Sequence, residues 1–159
     1  MTVRVFAVGN ELCGDDGVGA AVLAGLRRRA DLPGLECHDA GPDALALLDR
    51  WDPDGLNVVV DAARMGASPG TWRRFTPAEV RLRPWRSGVS AHGLGLAEAL
   101  ALGERIGALP RQLVIYGVEP ATTEAGRGLS PQVAAAVPAV IAAIAAEVNP
   151  DAADHPGHR

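Results

Sequence analysis

The sequence predicts an α/β fold, a mostly parallel sheet of five strands with helices on both faces. Three observations predict it. Short apolar runs alternate with amphipathic helical stretches through most of the 159 residues, and such alternation builds parallel sheets. Val58-Val59-Val60 is a continuous β-branched run, which suits a strand covered on both faces. The 48% hydrophobic and 21% charged fractions are those of a globular chain long enough for one sizeable core.

Val3–Val8 is apolar and stops at Gly9-Asn10, so it reads as a buried first strand. A loop follows, and a helix is expected over about Asp16–Arg29, with Val18, Val22 and Leu26 on one face and Arg27-Arg28-Arg29 at the C-terminal pole of its dipole. Leu35–Asp39 is a second strand, and Ala44–Leu48 begins a weak helix capped by Asp43. Asn57–Asp61 is the central strand. Ser68-Pro69-Gly70 is a turn into a short strand over Thr71–Phe75, which can join the edge antiparallel, and Thr76–Gly88 reads as irregular. A third helix is expected over Gly93–Gly107 and a last strand over Leu113–Val118. Ser130-Pro131 starts an alanine-rich helix to about Val148, with a kink or break expected at Pro138. Residues 1–148 form one domain on this reading, and 149–159, polar with two prolines, form a disordered tail.

Composition excludes several chemistries. All 15 basic residues are Arg, so there is no Schiff-base lysine, no lysine base and no P-loop. Acid–base work is left to carboxylates, four His, two Cys and one Tyr. The net charge of −4 offers nothing to nucleic acid. Cys13 and Cys37 are too few for a disulfide scaffold, so a reducing compartment is expected. The N-terminus lacks the pattern of a signal peptide, and the apolar run Val133–Ala146 is short for a membrane span. A cytoplasmic, monomeric protein without membrane contact is expected.

In an open α/β sheet the site lies beyond the carboxyl ends of the strands. Asn10, Glu11, Asp15 and Asp16 follow the first strand, Asp39 and Asp61 end the second and third, Ser90 and His92 precede the third helix, and Glu119 follows the last strand. Carboxylates gathered at one edge repel unless a cation joins them. A metal ion or a guanidinium, such as that of Arg64, is the natural partner. Asp and His ligands suit nickel, zinc or manganese. Strand-end aspartates also cap turns, but an acid directly after three buried valines requires a partner. The glycines of the first loop do not fit G-x-G-x-x-G, and its three acids oppose a pyrophosphate.

The segment Gly9-Asn10-Glu11-Leu12-Cys13-Gly14-Asp15-Asp16-Gly17-Val18-Gly19 resembles the opening signature of the hydrogenase maturation proteases, endopeptidases that trim the large subunit of nickel–iron hydrogenases. Asp39-Ala40-Gly41, Val60-Asp61-Ala62, Pro69-Gly70-Thr71, Ser90-Ala91-His92-Gly93-Leu94-Gly95-Leu96, Gly117-Val118-Glu119-Pro120 and Gly128-Leu129-Ser130-Pro131 resemble later family segments in order and spacing. The resemblance covers roughly residues 3–148. It implies a three-layer α/β/α sandwich around a twisted, mostly parallel five-stranded sheet. It also implies that Asp16, Asp61 and His92 contact metal, and that Asp39 is a further functional acid, for orienting or general-base work. The metal implied is nickel carried by the substrate, the nickel-loaded precursor of a hydrogenase large subunit. Pro42 departs from the family, which often has Thr there.

Other residues have plainer readings. Cys13 could meet His92 as a nucleophilic pair but suits an incidental loop cysteine better. Ser90 reads as a helix cap, His38 as structural, and His155 and His158 as tail residues. Trp72-Arg73-Arg74 and Arg81-Leu82-Arg83-Pro84-Trp85-Arg86 form the most basic stretch, the Arg/Trp mixture of interface hot spots, and are expected either to contact the precursor or to be a solvated surface. The competing functional class is a non-catalytic metal- or precursor-binding maturation factor of the same fold.

Overall fold

Val3–Val8 (β1) lies second in the sheet. The computed structural model describes residues 2–82, 86–87 and 95–150. The strands are β1, β2 (Leu35–Gly41), β3 (Leu56–Arg64), β4 (Trp72–Phe75), β5 (Arg86–Ser87) and β6 (Gln112–Val118). Their order is β2-β1-β3-β6-β4, and β5 adds two residues to β3. β2, β1, β3 and β6 are parallel, while β4 runs antiparallel along β6. This is the expected five-strand mixed sheet, with the turn at residues 68–70 reversing the chain into the edge strand as the sequence suggested.

Helices cover both faces. α1 (Val18–Arg27) and α4 (Pro131–Val148) pack with Val5, Ala7, Val58, Val60 and Tyr116 on one side. α2 (Pro77–Leu82) and α3 (Leu96–Ile106) pack with Phe6, Val8, Val59 and Ile115 on the other. The alternation of Val58, Val59 and Val60 between these two cores explains why β3 is apolar without a break. Each such side chain contributes on the order of 2 kcal/mol by leaving water.

Several elements differ from the sequence reading. The first helix begins only at Val18, because Gly14–Gly17 forms a separate 3-10 turn. Ala44–Leu47 is also a single 3-10 turn, capped as expected by Asp43, whose carboxylate accepts from the Leu45 amide. The stretch read as irregular contains α2 and β5. Thr76-Pro77-Ala78-Glu79 is a capping box: the Thr76 amide donates to Glu79 Oε1 at 3.1 Å and the Glu79 amide to Thr76 Oγ1 at 3.3 Å. The Thr-x-x-Glu spacing that makes this box is present in the sequence. Among the described residues the third helix starts at Leu96, on Gly95 as N-cap, and its C-cap Gly107 is left-handed at φ 72°.

α4 runs past Pro138 without the break that was one of the two expected outcomes there. It starts as predicted, with the Ser130 hydroxyl accepting from the Val133 amide and Pro131 in the first turn. Its 18 residues are long and apolar enough to cross a membrane by length and composition, more than the shorter run counted from sequence. Here Val133, Val140 and Ile144 are fully buried on the sheet and beside α1, as in a core helix. β3 extends to Arg64, so Asp61 is inside a strand and not at its end.

Candidate functional site

The loop after β1 is built around Asp16. Gly9 turns the chain at φ 133°, where a Cβ would stand 2.2 Å from the Asp16 carbonyl oxygen, so only glycine fits. Asn10 then makes three local bonds. Its amide donates to Asp16 Oδ2 at 2.7 Å, its side-chain Oδ1 accepts from the Leu12 amide at 3.0 Å, and its carbonyl accepts from the Cys13 amide at 3.0 Å. The Asp16 amide closes the 3-10 turn on the Cys13 carbonyl at 3.1 Å. Asp16 is 2% exposed, and the turn that carries it touches β3.

β3 carries Asp61, which is 1% exposed and in register with Gly117 of β6. It shares its alternation with Val59 and Ala63, so it belongs to the α3 face. Asp16 and Asp61 are thus buried carboxylates on touching elements at the carboxyl end of the sheet. Two acids placed so concentrate negative charge in a region of low dielectric, which favours a dication.

Asp39 stands apart from them. It is exposed and in register with Ala7, two strands from β3 and so about 10 Å across the sheet. Its Oδ1 accepts from the Gly41 amide at 2.9 Å, which fixes the carboxylate beside the turn out of β2. His92 lies outside the described residues, as do Ser90, His155, His158, Arg83, Pro84 and Trp85. Among the described residues no group of three His, Cys, Asp or Glu is placed to hold a metal ion. As oxygen donors, Asp16 and Asp61 are side chains at this edge that could contribute to a metal site.

Two acids that the sequence grouped with this edge serve the scaffold. The Asp15 side chain is fully buried. Its Oδ1 accepts from the Ser130 amide at 2.7 Å, and its Oδ2 accepts from the Ser130 hydroxyl at 2.8 Å and the Ala121 and Thr122 amides at 2.8 and 3.2 Å. Burial alone would raise its pKa. The bonds from Ser130, Ala121 and Thr122 outweigh burial and hold the carboxyl below the ordinary value of 3.8. Glu119, 7% exposed, accepts from the Met65 amide at 2.5 Å through Oε2. Its backbone bonds Gly70 and Thr71, both at 2.8 Å. Asp15 therefore ties the loop after β1 to the loop after β6, and Glu119 ties the loop after β3 to the same segment.

The remaining candidates resolve simply. His38 stacks on Phe6 with ring centroids 5.3 Å apart, a structural role as expected. Cys13 caps the 3-10 turn without a side-chain bond to it. Arg64 ends β3 exposed, as does Arg73 on β4, while Arg74 pairs with Glu147, which also accepts from the Tyr116 hydroxyl at 2.6 Å. Of the basic stretch, Arg73 is thus exposed on the edge strand and Arg74 is engaged with α4.

The arrangement has close counterparts. The family model described as hydrogenase maturation protease matches residues 21–147. The hydrogenase 2 maturation protease of Escherichia coli is 32% identical over 139 residues, covering 86% of this chain and 84% of that protein. The hydrogenase expression/formation protein HupD of Thiocapsa roseopersicina is 32% identical over 133 residues, or 82% of this chain, which spans about 60% of the length of that relative. The solved hydrogenase maturating endopeptidase HybD from E. coli superposes with a TM-score of 0.77 at 28% identity, covering 94% of this chain and 93% of that one. The HycI maturation protease of Thermococcus kodakarensis, at 24% identity and a TM-score of 0.67 over 94% of this chain and 93% of that one, shares the fold. The signature loop read first from the sequence, the sheet order beneath it and the match across residues 21–147 all agree: the chain belongs to the hydrogenase maturation protease family.

Proposed function

We propose that this protein is an endopeptidase that removes the C-terminal extension of a nickel-loaded nickel–iron hydrogenase large-subunit precursor. The observation that carries the reading is the burial of Asp61 at 1% exposure inside the central strand, on the element touched by the Asp16 turn. Two buried carboxylates on touching elements concentrate negative charge, which favours a dication presented by a partner. Family membership supports the peptidase activity, and the name of the E. coli hydrogenase 2 maturation protease supports the class of substrate.

In this reading nickel belongs to the precursor and is the recognition element. Asp16 and Asp61 meet it with oxygen ligands and His92 with an imidazole. Three ligands from three separate segments make an open site that senses an ion without stripping it. Hydrolysis adds water across one peptide bond, leaving a new carboxyl group on the large subunit and an amine on the released extension. Asp39, exposed at the end of β2, orients that water or takes its proton. The protein acts as a cytoplasmic monomer.

The test separates an enzyme from a binding factor. The protein is incubated with a nickel-loaded precursor, and both binding and precursor mass are followed. Loss of the extension supports the endopeptidase. Stable binding with an intact precursor contradicts it and supports the non-catalytic maturation factor.

A further inference from the structure

Asp15 is a heavily bonded side chain at this edge, and the proposed chemistry makes no use of it. Its two oxygens take four donors, one on Oδ1 and three on Oδ2, all from the segment 121–130, and hydrogen bonds to an ionised carboxylate are the strong kind. Backbone bonds run parallel to these: the Gly14 amide to the Arg127 carbonyl at 3.0 Å, the Asp15 amide to the Thr122 carbonyl at 2.9 Å, and the Gly126 amide to the Leu12 carbonyl at 2.9 Å. Gly14 permits the approach, since at φ 57° a Cβ there would stand 2.8 Å from the Thr122 carbonyl oxygen. The next residue along the same 3-10 turn is Asp16, whose carboxylate is aimed by the Asn10 amide.

We propose that Asp15 is a positioning residue for the precursor-facing acid: by gripping the loop after β6 it sets the turn from which Asp16 projects. This rests on the reading of Asp16 as a ligand of the precursor's metal. The physical basis is the stiffness of the turn. A four-residue 3-10 turn has poor internal bonds, so the direction of Asp16 is decided by what the turn is tied to. Three backbone bonds hold the loop at Leu12, Gly14 and Asp15. The Asp15 carboxylate adds four more at the residue next to Asp16. An asparagine cannot fully replace it, because with its oxygen in the place of Oδ2 its NH2 group would face the Ser130 amide. A misplacement of about 1 Å at a reacting group is enough to cost about 10²-fold in rate.

The experiment uses Asp15→Asn and Ser130→Ala, the second removing one of the four donors. Amide hydrogen exchange is read at Asn10, which reports on Asp16, and at Ile115 in the core, alongside kcat and KM for nickel-loaded precursor. In Asp15→Asn, Asn10 exchange should accelerate at least about 10-fold more than Ile115 exchange, which follows global stability, and kcat should fall about 10–100-fold with KM within about twofold of wild type. Ser130→Ala should shift both readouts the same way by less, and it carries the test if Asp15→Asn does not fold. Opening of the Ala121, Thr122 and Ser130 amides with Asn10 still protected would overturn the proposal. So would parallel loss of protection at Asn10 and Ile115, which marks general destabilisation. If Asn10 opens as predicted but no form of the protein, wild type included, processes precursor, the positioning stands and the endopeptidase reading falls.

Discussion

Asp15 and Ser130, 115 positions apart in the chain, are joined by two hydrogen bonds, the amide of Ser130 to Oδ1 and its hydroxyl to Oδ2. Ser130 is also the N-cap of α4, so the turn beneath Asp16 and the start of the last helix share one anchor. Asp15 and Asp61 are both buried acids at this edge, and Asp15 is held by three backbone amides and a hydroxyl.

The two acids have different tasks, so the same substitution is expected to act on different readouts. Asp15→Asn should lose about 2–3 kcal/mol of stability, the cost of leaving buried donors unsatisfied. Asp61→Asn, at the acid proposed to meet the precursor's metal, should lower processing by at least about 10²-fold. Chemical denaturation and a processing assay on the two variants measure both. An Asp61→Asn variant that is fully active refutes the site.

Gly14 should be intolerant of any side chain. Gly14→Ala meets the Thr122 carbonyl oxygen at 2.8 Å in a left-handed backbone, and a loss of about 1–3 kcal/mol is expected. Gly128→Ala, where a Cβ meets nothing within 4 Å, should be near neutral. The difference in thermal unfolding between the two variants checks the packing of the loops.

Much of this architecture was legible beforehand, and the exceptions share a cause. The five strands could be read because each is a short apolar run, and Ser130-Pro131 announces its helix through local cap chemistry. The division of labour among the acids could not be read. Asp15 and Asp16 are neighbours of the same type, and what separates them is four donors supplied by residues more than 100 positions away. Likewise Glu119 was grouped with the site because it follows β6, and only tertiary placement shows it holding Met65. Pro138 failed to break α4 because burial of Val133, Val140 and Ile144 outweighs one lost helical bond.

Tyr116 gives a pH prediction that the lysine-free composition makes clean. Burial pushes its hydroxyl up, and the bond to Glu147 pushes it further, so its folded pKa lies well above the ordinary 10.0. A raised folded pKa contributes stability that is full below pH 10 and is lost as pH rises above it toward the folded value. Stability should therefore fall above pH 10 in wild type and more shallowly in Tyr116→Phe. With one Tyr and no Lys in the chain, the near-ultraviolet phenolate signal reports this group alone. Phenolate appearing near pH 10 in the folded protein contradicts the buried Tyr116–Glu147 bond.

The edge strand offers a test of precursor docking. Arg73 is exposed, whereas Arg74 is paired with Glu147. Arg73→Glu should raise KM for precursor about tenfold at low salt and less at high salt. Arg74→Ala should change stability by no more than about 1 kcal/mol and leave KM alone. Equal KM for wild type and Arg73→Glu at low salt removes this surface from the account.

The central claim is that Asp16 and Asp61 meet a nickel ion carried by the substrate. Its most direct measurement is the mass of a hydrogenase large-subunit precursor, nickel-loaded or nickel-free, after incubation with excess protein. The account predicts a shortened large subunit only from the nickel-loaded form, with Asp16→Ala leaving it intact. Equal shortening of the nickel-free precursor would contradict the claim.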